Sequence, residues 1–266
     1  MIVLTMLGVA KSADGAQGVE TIGAAQHPAR VDQPRATEQL IAGGRGAARS
    51  VAIICDGNAR WAQARGLTVG EGHEAAADTV IARALDAAEL GVEQLTIYSF
   101  STENWARPPA EVNGLISLLG RRIARDAPLL HANGIRIRFI GRRQTFSPEL
   151  AERMRRAEDM TAQNTRMTLF VAFNYGGRAE IIDAAQRFNG STEEEFRELL
   201  YAPEMKDPDV LIRTGRERRL SNYLLWQSAY SELMFRDELW PEFTRAALQA
   251  CLAEFSGRRR RFGGRR

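Results

Sequence analysis

Five short apolar runs, separated by longer helical stretches, are the feature that most limits the folds open to this chain. The runs are nearly continuous in apolar residues or strongly β-branched, which is typical of strands covered on both faces. Strands that alternate with helices of crossover length indicate a mostly parallel sheet flanked by helices. The sequence therefore predicts a single α/β domain with strands at VAIIC (51–55), QLTIYSF (94–100), IRIRFIG (135–141), MTLFVAF (167–173) and DVLIR (209–213).

Helix signals between these runs support the alternation. Ser147 followed by Pro148 predicts a helix start. Ser191 and Glu194 have the spacing of a capping box, so another helix is predicted to begin there. A third stretch, 111–131, is amphipathic. Its apolar stripe consists of Ile116, Leu119 and Ile123, and its outward-facing arginines are Arg121 and Arg125.

The first 49 residues differ in composition from the rest of the chain. Residues 1–49 are rich in small and polar residues without a sustained period, so we expect a disordered extension followed by a folded domain over 50–266. No apolar run approaches the roughly 20 residues of a membrane span. Cys55 and Cys251 form no disulfide framework or zinc motif, so we expect a reducing, cytoplasmic setting.

The net charge of +3 hides an uneven distribution. Six arginines lie in the last nine residues, at 258–261, 265 and 266. Subtracting these six from the net charge leaves −3 for the rest of the chain. A nucleic-acid-binding protein needs basic residues spread over a face. The acidic body therefore argues against a nucleic-acid partner.

Polar residues follow the first predicted strand, at the end where open parallel sheets bind ligands. Asp56 is followed by a Gly57-Asn58 turn and a helix start, where exposed N–H groups favour a phosphate. Arg60 adds a charge for that phosphate, and Asp56 is suited to Mg²⁺ that bridges phosphate oxygens. The alternative is an ordinary turn in which Asp56 merely caps the helix.

The loops after the second and fifth strands are also rich in polar residues. The first, SFSTENWARPP, places Ser101, Thr102, Glu103 and Asn104 beside Trp105 and Arg107, which suits a ligand site. The alternative interpretation is a loop that caps a helix and whose tryptophan packs against the core. The second holds Arg213, Arg216, Arg218, Arg219 and Ser221, followed by Glu232. Such arginine density beside a strand end indicates an anion site. The alternative for this arginine-rich loop is a run of charges that simply faces solvent. His73 either donates a hydrogen bond to a phosphate or is a structural histidine.

Several kinds of catalytic machinery are missing from the sequence. It has no GxGxxG after a strand, no P-loop, no HExxH, no GxSxG, no CxxC pair and no adjacent aspartates. These absences argue against dinucleotide, zinc-protease and nucleophile-elbow chemistry. Of the kinds of site considered, the sequence still allows a phosphate-binding, Mg²⁺-dependent one.

Five blocks of this chain resemble the cis-prenyltransferases, the undecaprenyl diphosphate synthase family. The blocks are DGNARWA, FSTENWARP, NYGGRAEI, DPDVLIRTG with RLSNYLLWQSAYSEL, and RRRRFGG, and they span 50–266 in the family's order. The resemblance implies a homodimer with a hydrophobic tunnel in each subunit. It also implies condensation of isopentenyl diphosphate with an allylic diphosphate to a Z-prenyl diphosphate, and a peripheral membrane contact for the lipid product.

The resemblance also assigns roles to individual residues. Asp56 and Asn104 would be catalytic, and Asp56 and Glu232 would hold Mg²⁺. The C-terminal Arg261-Phe262-Gly263 element would reach the partner subunit's site. Substrate-binding roles fall on Gly57, Asn58, Ala59, Arg60, Trp61, His73, Ser101, Thr102, Glu103, Trp105, Arg107, Arg213, Arg219, Leu220, Ser221, Arg261 and Gly263.

The chain departs from the family pattern at several positions. Val69 stands where an arginine usually contacts the allylic diphosphate, Arg216 replaces a glycine and Arg142 replaces the aspartate of a turn. Cys55 and Ala59 replace a methionine and a glycine of the first block. The segment between NYGGR and DPDVLIRT is shorter than typical, and the helix at 111–131 lacks the insertion associated with very long products, so we expect a product of short or medium chain. These changes leave two alternatives open: a lavandulyl-type synthase that couples two dimethylallyl diphosphates head-to-middle, and a non-catalytic dimer partner.

Overall fold

A computed structural model describes residues 46–260 of the chain. Its strands are β1 (Ser50–Ile54), β2 (Gln94–Ser101), β3 (Ile135–Ile140), β4 (Met167–Tyr175), β5 (Val210–Arg213) and β6 (Glu232–Phe235). Its helices are α1 (Asn58–Gln63), α2 (Val69–Glu89), α3 (Pro109–Ala132), α4 (Pro148–Thr161), α5 (Gly177–Ala185), α6 (Glu193–Arg197) and α7 (Arg245–Ser256). Short 3₁₀ turns lie at Thr102–Ala106, Arg143–Thr145 and Trp240–Glu242.

The six strands form one sheet in the order β3-β4-β2-β1-β5-β6, and every neighbouring pair is parallel. The predicted α/β class is therefore confirmed, and the five predicted strands lie within two residues of their observed bounds. The sixth strand, β6, was not predicted. It has only four residues, and it pairs on one side only, with β5.

Both faces of the sheet are covered, as the apolar runs predict. All five residues of β1 are buried. Val51 and Ile53 pack into the larger core, which includes residues of α2, α3 and α7. Ala52 and Ile54 pack into a second core on the other face, against Tyr175 and other aromatic residues. Burial on both faces of a parallel sheet is what β-branched, continuously apolar strands provide.

The helix starts follow the capping signals, with one correction. Ser147 is the N-cap of α4, and its Oγ accepts from the Leu150 N–H at 3.3 Å. The capping box predicted at Ser191 and Glu194 is wrong by one residue. Thr192 is the N-cap of α6, and Glu195 closes the box by accepting from the Thr192 N–H. Glu195 also accepts from the Ser191 N–H at 2.8 Å, which uses up the backbone donor of the residue predicted as the cap.

Substitutions at the two neighbouring hydroxyls test this correction. Thr192→Ala removes the side-chain oxygen that accepts from the Glu195 N–H, so we expect it to lower the free energy of unfolding by about 1 kcal/mol. Ser191→Ala is the matched control and should leave stability nearly unchanged. Urea unfolding followed by circular dichroism measures both. If Ser191→Ala lowered the free energy of unfolding more than Thr192→Ala did, Ser191 would be the N-cap.

Two predicted segments extend beyond residues 46–260. The extension predicted over 1–49 and the Arg261 and Gly263 positions lie outside the described residues, apart from residues 46–49. Within that overlap Ala48 is buried, and the Arg49 N–H donates to Asp209 Oδ2 at 2.8 Å. Across the part of the chain that the structure describes, no helix combines the length and apolar character needed to cross a membrane.

Candidate functional site

A polar pocket lies at the carboxyl edge of the sheet, where the loops after β1, β2 and β5 meet. Parallel strands end at this edge, and open α/β sheets bind their ligands there. The pocket gathers most of the predicted site residues. They are Asp56, Gly57, Asn58, Ala59, Arg60, His73, Ser101, Glu103, Asn104, Arg107, Arg213, Arg219 and Ser221.

Asp56 lies at the centre of this pocket, between two guanidinium groups. Arg213 Nη2 donates to Asp56 Oδ2 at 2.8 Å, and Arg60 Nη2 donates to Oδ1 at 3.3 Å. The Asp56 N–H donates to Thr214 Oγ1, which fixes the residue at the end of β1. Gly57 follows with a φ of 108°, and a Cβ there would lie 2.7 Å from a Leu239 methyl carbon. The turn after Asp56 therefore requires glycine.

Arg213 is the buried cation of the site. Its side chain is only 4% exposed. Besides Asp56, it donates from Nη1 to the Arg219 carbonyl at 2.6 Å and to Ser221 Oγ at 2.7 Å. Its Nε is buried without a partner. A buried guanidinium with a donor to spare favours an anionic ligand, since a buried donor without an acceptor is costly.

Asn58 has a second unpartnered polar atom in the same pocket. Its Nδ2 donates to the Cys55 carbonyl at 3.3 Å, which leaves Oδ1 buried without a partner. Burial raises the pKa of the Cys55 thiol, and the neighbouring Asp56 charge raises it further. The thiol therefore stays protonated at neutral pH. Asn58 and Cys55 line both the polar pocket and the apolar cavity behind it.

His73 joins α2 to the start of α3 across the mouth of the pocket. Its Nε2 lies 3.2 Å from Glu111 Oε1, which also accepts from Arg107 Nη1 at 3.0 Å. Burial lowers the pKa of His73, although the hydrogen bond to Glu111 opposes this shift in part. The imidazole is therefore neutral at neutral pH. Sequence reasoning missed Glu111, although its position four residues after Arg107 is the spacing of a helical ion pair.

The loop after β2 holds Asn104 against its own backbone. Asn104 Oδ1 accepts from the Ser101 N–H at 3.0 Å. Glu103 Oε1 accepts from Asn222 Nδ2 at 2.7 Å, which ties this loop to the arginine-rich loop after β5. Asn222 also lines the pocket and was not predicted. Both it and Ser221 have positive φ angles, of 62° and 49°.

Four predicted substrate-binding residues do not line the polar pocket. Trp61 is covered by Arg65, whose guanidinium carbon lies 4.6 Å from the ring centroid. Trp105 Nε1 donates to Asn174 Oδ1 at 2.7 Å. The others are Thr102, whose Oγ1 would lie 2.5 Å from a Cβ on Gly176, and Leu220, which packs against the second core.

Glu232, predicted to share a metal ion with Asp56, lies at the opposite edge of the sheet. It is the first residue of β6 and pairs in register with Val210, the first residue of β5. Asp56 instead follows the last residue of β1. Glu232 Oε2 accepts from Arg258 Nη1 at 2.7 Å. Within one chain, Glu232 and Asp56 therefore do not form a common site.

The structure accounts for the arginine at 142. Arg142 forms a two-pronged ion pair with Asp183, with Nε 2.9 Å from Oδ2 and Nη2 2.7 Å from Oδ1. The Tyr201 hydroxyl donates to the same carboxylate at 2.5 Å. The Asp183 charge compensates the arginine at this turn. Val69, by contrast, is simply the first residue of α2 and is partly exposed.

Arg216 has a φ of 71°, in the left-handed region that favours glycine. We expect Arg216→Gly to raise the free energy of unfolding by up to about 1 kcal/mol, because it relieves this strain. Arg218→Gly, in the same loop but without a positive φ, is the matched control and should lower it. Thermal unfolding of the two variants measures the difference. If both variants lowered the free energy of unfolding equally, the strain at Arg216 would be negligible.

An apolar cavity continues from the polar pocket into the domain. The space inside it that the centre of a water molecule can occupy is about 150 Å³. Its walls are α2, α3 and the face of the sheet formed by β2, β3 and β4. The lining is mainly aliphatic and aromatic, with Val80, Ile81, Leu118, Leu119, Ile123, Leu130, Ile137, Phe139, Leu169 and Val171.

The residues present fit Mg²⁺ only together with a phosphate ligand. No cluster of three or more His, Cys, Asp or Glu side chains able to hold a metal ion exists between residues 46 and 260. Mg²⁺ in phosphate-processing sites is commonly held by one or two carboxylates plus substrate oxygens. Asp56, between the two arginines of the polar pocket, has the chemistry of the protein's share of such a site.

Comparisons with known proteins agree with this geometry. A family model described as "Putative undecaprenyl diphosphate synthase" matches residues 54–263. Isoprenyl transferase 2 of Bradyrhizobium diazoefficiens is 46% identical over 225 residues, covering 80% of this chain and 89% of its own. A ditrans,polycis-undecaprenyl-diphosphate synthase ((2E,6E)-farnesyl-diphosphate specific) of Pseudomonas aeruginosa is 48% identical over 226 residues, covering 81% and 90%.

A solved structure also resembles this chain. The crystal structure of lavandulyl diphosphate synthase from Lavandula x intermedia in complex with dimethylallyl diphosphate superposes with a TM-score of 0.79. It is 32% identical, and the match covers 83% of this chain and all of that one. The family model spans most of the chain, and relatives above 40% identity match along four fifths of it. The chain therefore belongs to the prenyltransferase family described as putative undecaprenyl diphosphate synthase.

Proposed function

We propose that the protein is a Mg²⁺-dependent cis-prenyltransferase that joins isopentenyl diphosphate to an allylic diphosphate. The observation that carries the proposal is the buried Arg213, with its unpartnered Nε, beside Asp56 at the mouth of an apolar cavity. The polar pocket suits two diphosphates, and the cavity suits the hydrocarbon chain. Six residues line both, so a substrate can place one end in each. They are Cys55, Asn58, His73, Tyr98, Ser99 and Leu115.

The reaction begins at the allylic diphosphate. Its C–O bond breaks, the electron pair leaves with the diphosphate, and an allylic cation remains. The Asn58 and Arg60 positions at the start of α1 are suited to hold that leaving group. Mg²⁺ held by Asp56 and the diphosphate would supply further neutralisation of the leaving charge. The apolar wall beyond Asn58 excludes water from the cation.

The second substrate completes the reaction. The double bond of isopentenyl diphosphate attacks the cation, a carbon–carbon bond forms, and the released diphosphate accepts a proton, which leaves the new Z double bond. Arg213, Arg219 and Ser221 are suited to hold the diphosphate of this second substrate. Asn104 and Ser101 line the same pocket, and their proposed role is to assist removal of the proton. No covalent intermediate with the protein is needed.

A homodimer is part of the proposal. Glu232 belongs to the edge strand β6, away from Asp56 of its own chain. Arg258 and Arg260 are two of the last three residues of the described chain and lie close to this edge, with Arg260 Nη1 2.8 Å from Asp209 Oδ1. In the proposed dimer, Glu232 and the Arg261 to Gly263 segment serve the partner's site.

A second candidate is the head-to-middle coupling of two dimethylallyl diphosphates. It is favoured by the similarity to the lavandulyl diphosphate synthase structure and by Val69, at the start of α2, where the family pattern has an arginine that contacts the allylic diphosphate. In that reaction the second allylic substrate takes the place proposed for isopentenyl diphosphate. The same arginines hold its diphosphate, so the polar pocket alone does not separate the two reactions.

Mass spectrometry of the products separates the candidates. The protein is incubated with Mg²⁺ and either dimethylallyl diphosphate alone, or isopentenyl diphosphate with geranyl or farnesyl diphosphate. We expect consumption of isopentenyl diphosphate and a longer prenyl diphosphate. Product from dimethylallyl diphosphate alone, without use of isopentenyl diphosphate, would favour the second candidate. No turnover of any pair, restored by mixing with an active relative, would indicate a partner subunit.

A further inference from the structure

Two charged side chains interrupt the apolar cavity. Arg122 and Asp126 line it, and each is at least nine-tenths buried, with side-chain exposures of 8% and 9%. Arg122 Nε donates to Asp126 Oδ2 at 2.6 Å, and Arg122 Nη1 donates to Asp78 Oδ1 at 2.5 Å. Its third nitrogen, Nη2, is buried without a partner. This arginine is therefore paired on one side only, in a cavity that is otherwise mainly hydrocarbon.

Arg122 stands about half-way along the cavity. Leu115 lines both the polar pocket and the cavity, so it marks the mouth. At about 1.5 Å per residue along α3, Arg122 lies roughly 10 Å from Leu115, and Leu130 lies roughly 12 Å farther on. Leu130 lines the cavity near the start of β3, at the amino edge of the sheet. Apolar space therefore continues beyond Arg122.

The ion pairs hold Arg122 in this position. Asp78 lies on α2 and Asp126 on α3, and Arg125 donates to both at 2.8 and 2.9 Å. Asp78 and Arg125 are largely exposed, with 64% and 60% of their side chains accessible. The cluster thus runs from the cavity to the surface and joins the two helices that form the cavity wall. Because both helices anchor it, the guanidinium has little freedom to swing out of the cavity.

We propose that Arg122 limits the length of the prenyl chain that the cavity accepts. A hydrocarbon chain that reaches Arg122 lies against a charged guanidinium whose Nη2 has no partner, and the chain offers it no acceptor. Each further isoprene unit therefore loses the gain that apolar burial normally gives. This inference rests on the proposed prenyl-transfer function and adds to it a limit on product length set by a charge rather than by bulk.

Substitution by methionine tests the role of the charge. Arg122→Met keeps an unbranched stem and removes the guanidinium, and Arg125 still pairs with Asp78 and Asp126. Arg121→Met is the matched control. Arg121 is the preceding residue, is exposed, and also joins α3 to α2, through Glu74 at 2.7 Å. It does not line the cavity, so its loss removes a surface ion pair alone.

Two measurements are made on wild type and both variants. The first is the affinity for geranyl, farnesyl and geranylgeranyl diphosphate, by calorimetry without Mg²⁺. We expect the affinity of wild type and Arg121→Met to stop rising within this series. In Arg122→Met we expect the affinity to rise through the whole series, by about tenfold or more for each added isoprene unit. The second is product length by mass spectrometry, where only Arg122→Met should yield longer chains.

The outcomes separate this inference from the proposed reaction. If Arg122→Met forms product of wild-type length, and its affinity changes with the length of the allylic diphosphate as in wild type, the inference is overturned and the reaction stands. If no substrate pair reacts but the affinity series separates Arg122→Met from wild type, the inference stands and the reaction fails. An affinity that rises through the whole series in wild type, or absence of binding to every probe, also overturns the inference.

Discussion

Replacing Asp56 with alanine is expected to lower product formation by about a thousandfold or more while leaving the fold intact. The carboxylate is the acidic group at the centre of the polar pocket, so its loss removes the proposed protein ligand for Mg²⁺. It also leaves Arg213 and Arg60 without their shared partner. Single-turnover assays with saturating allylic diphosphate measure the loss, and circular dichroism checks the fold.

Asp56→Asn separates charge from shape at this position. The amide keeps an oxygen that accepts from one guanidinium, but it loses the negative charge that a metal ion requires. We therefore expect an activity loss close to that of alanine, with stability closer to wild type. Near-normal turnover in either variant would refute the role of Asp56. A severe loss of folding in the alanine variant alone would leave the asparagine variant as the deciding measurement.

Arg213→Lys is expected to reduce kcat/KM for isopentenyl diphosphate by about a hundredfold or more. The guanidinium serves Asp56, the Arg219 carbonyl and Ser221 Oγ at once, and its Nε remains for a ligand. A lysine ammonium keeps the charge but lacks the planar fork that makes these bonds together. The two-substrate kinetics of the variant, with each diphosphate varied in turn, measure the effect.

A neighbouring arginine provides the control for this prediction. Arg218 lies in the same loop and is exposed, and it does not line the polar pocket. Arg218→Lys should therefore keep wild-type kinetics within experimental error. If both lysine variants lost activity equally, the effect would belong to the general positive charge of the loop. If neither did, Arg213 would be a structural arginine without a share in substrate binding.

The sequence allowed the sheet to be predicted because buried parallel strands have a strong and simple pattern. The run from Val51 to Cys55 offers no alternative to a strand covered on both faces. The last strand, β6, was missed because four residues at a sheet edge carry almost no period. The cap of α6 was misplaced by one residue because Ser191-Thr192 and Glu194-Glu195 satisfy the same spacing twice.

The candidate site was predicted in part for a similar reason. Residues that follow strand ends are brought together by the sheet itself, so Asp56, Asn104 and Arg213 were found from their positions. The buried pair Arg122 and Asp126 was not found, because charged residues on a helix are expected to face solvent. Their spacing did indicate burial, because Arg122 and Asp126 lie on the same face of α3 as the apolar residues Leu118 and Leu119.

The pairing of β1 with β5 has a consequence for the synthesis of the protein on the ribosome. Asp56 and Arg213 lie 157 positions apart in the chain. At about 5–20 residues per second, the arginine is added on the order of ten seconds after the aspartate. During that interval β2 is able to cover one side of β1 while the other side waits for β5. A nascent chain therefore acquires most of its sheet before it acquires Arg213, the buried cation of the polar pocket.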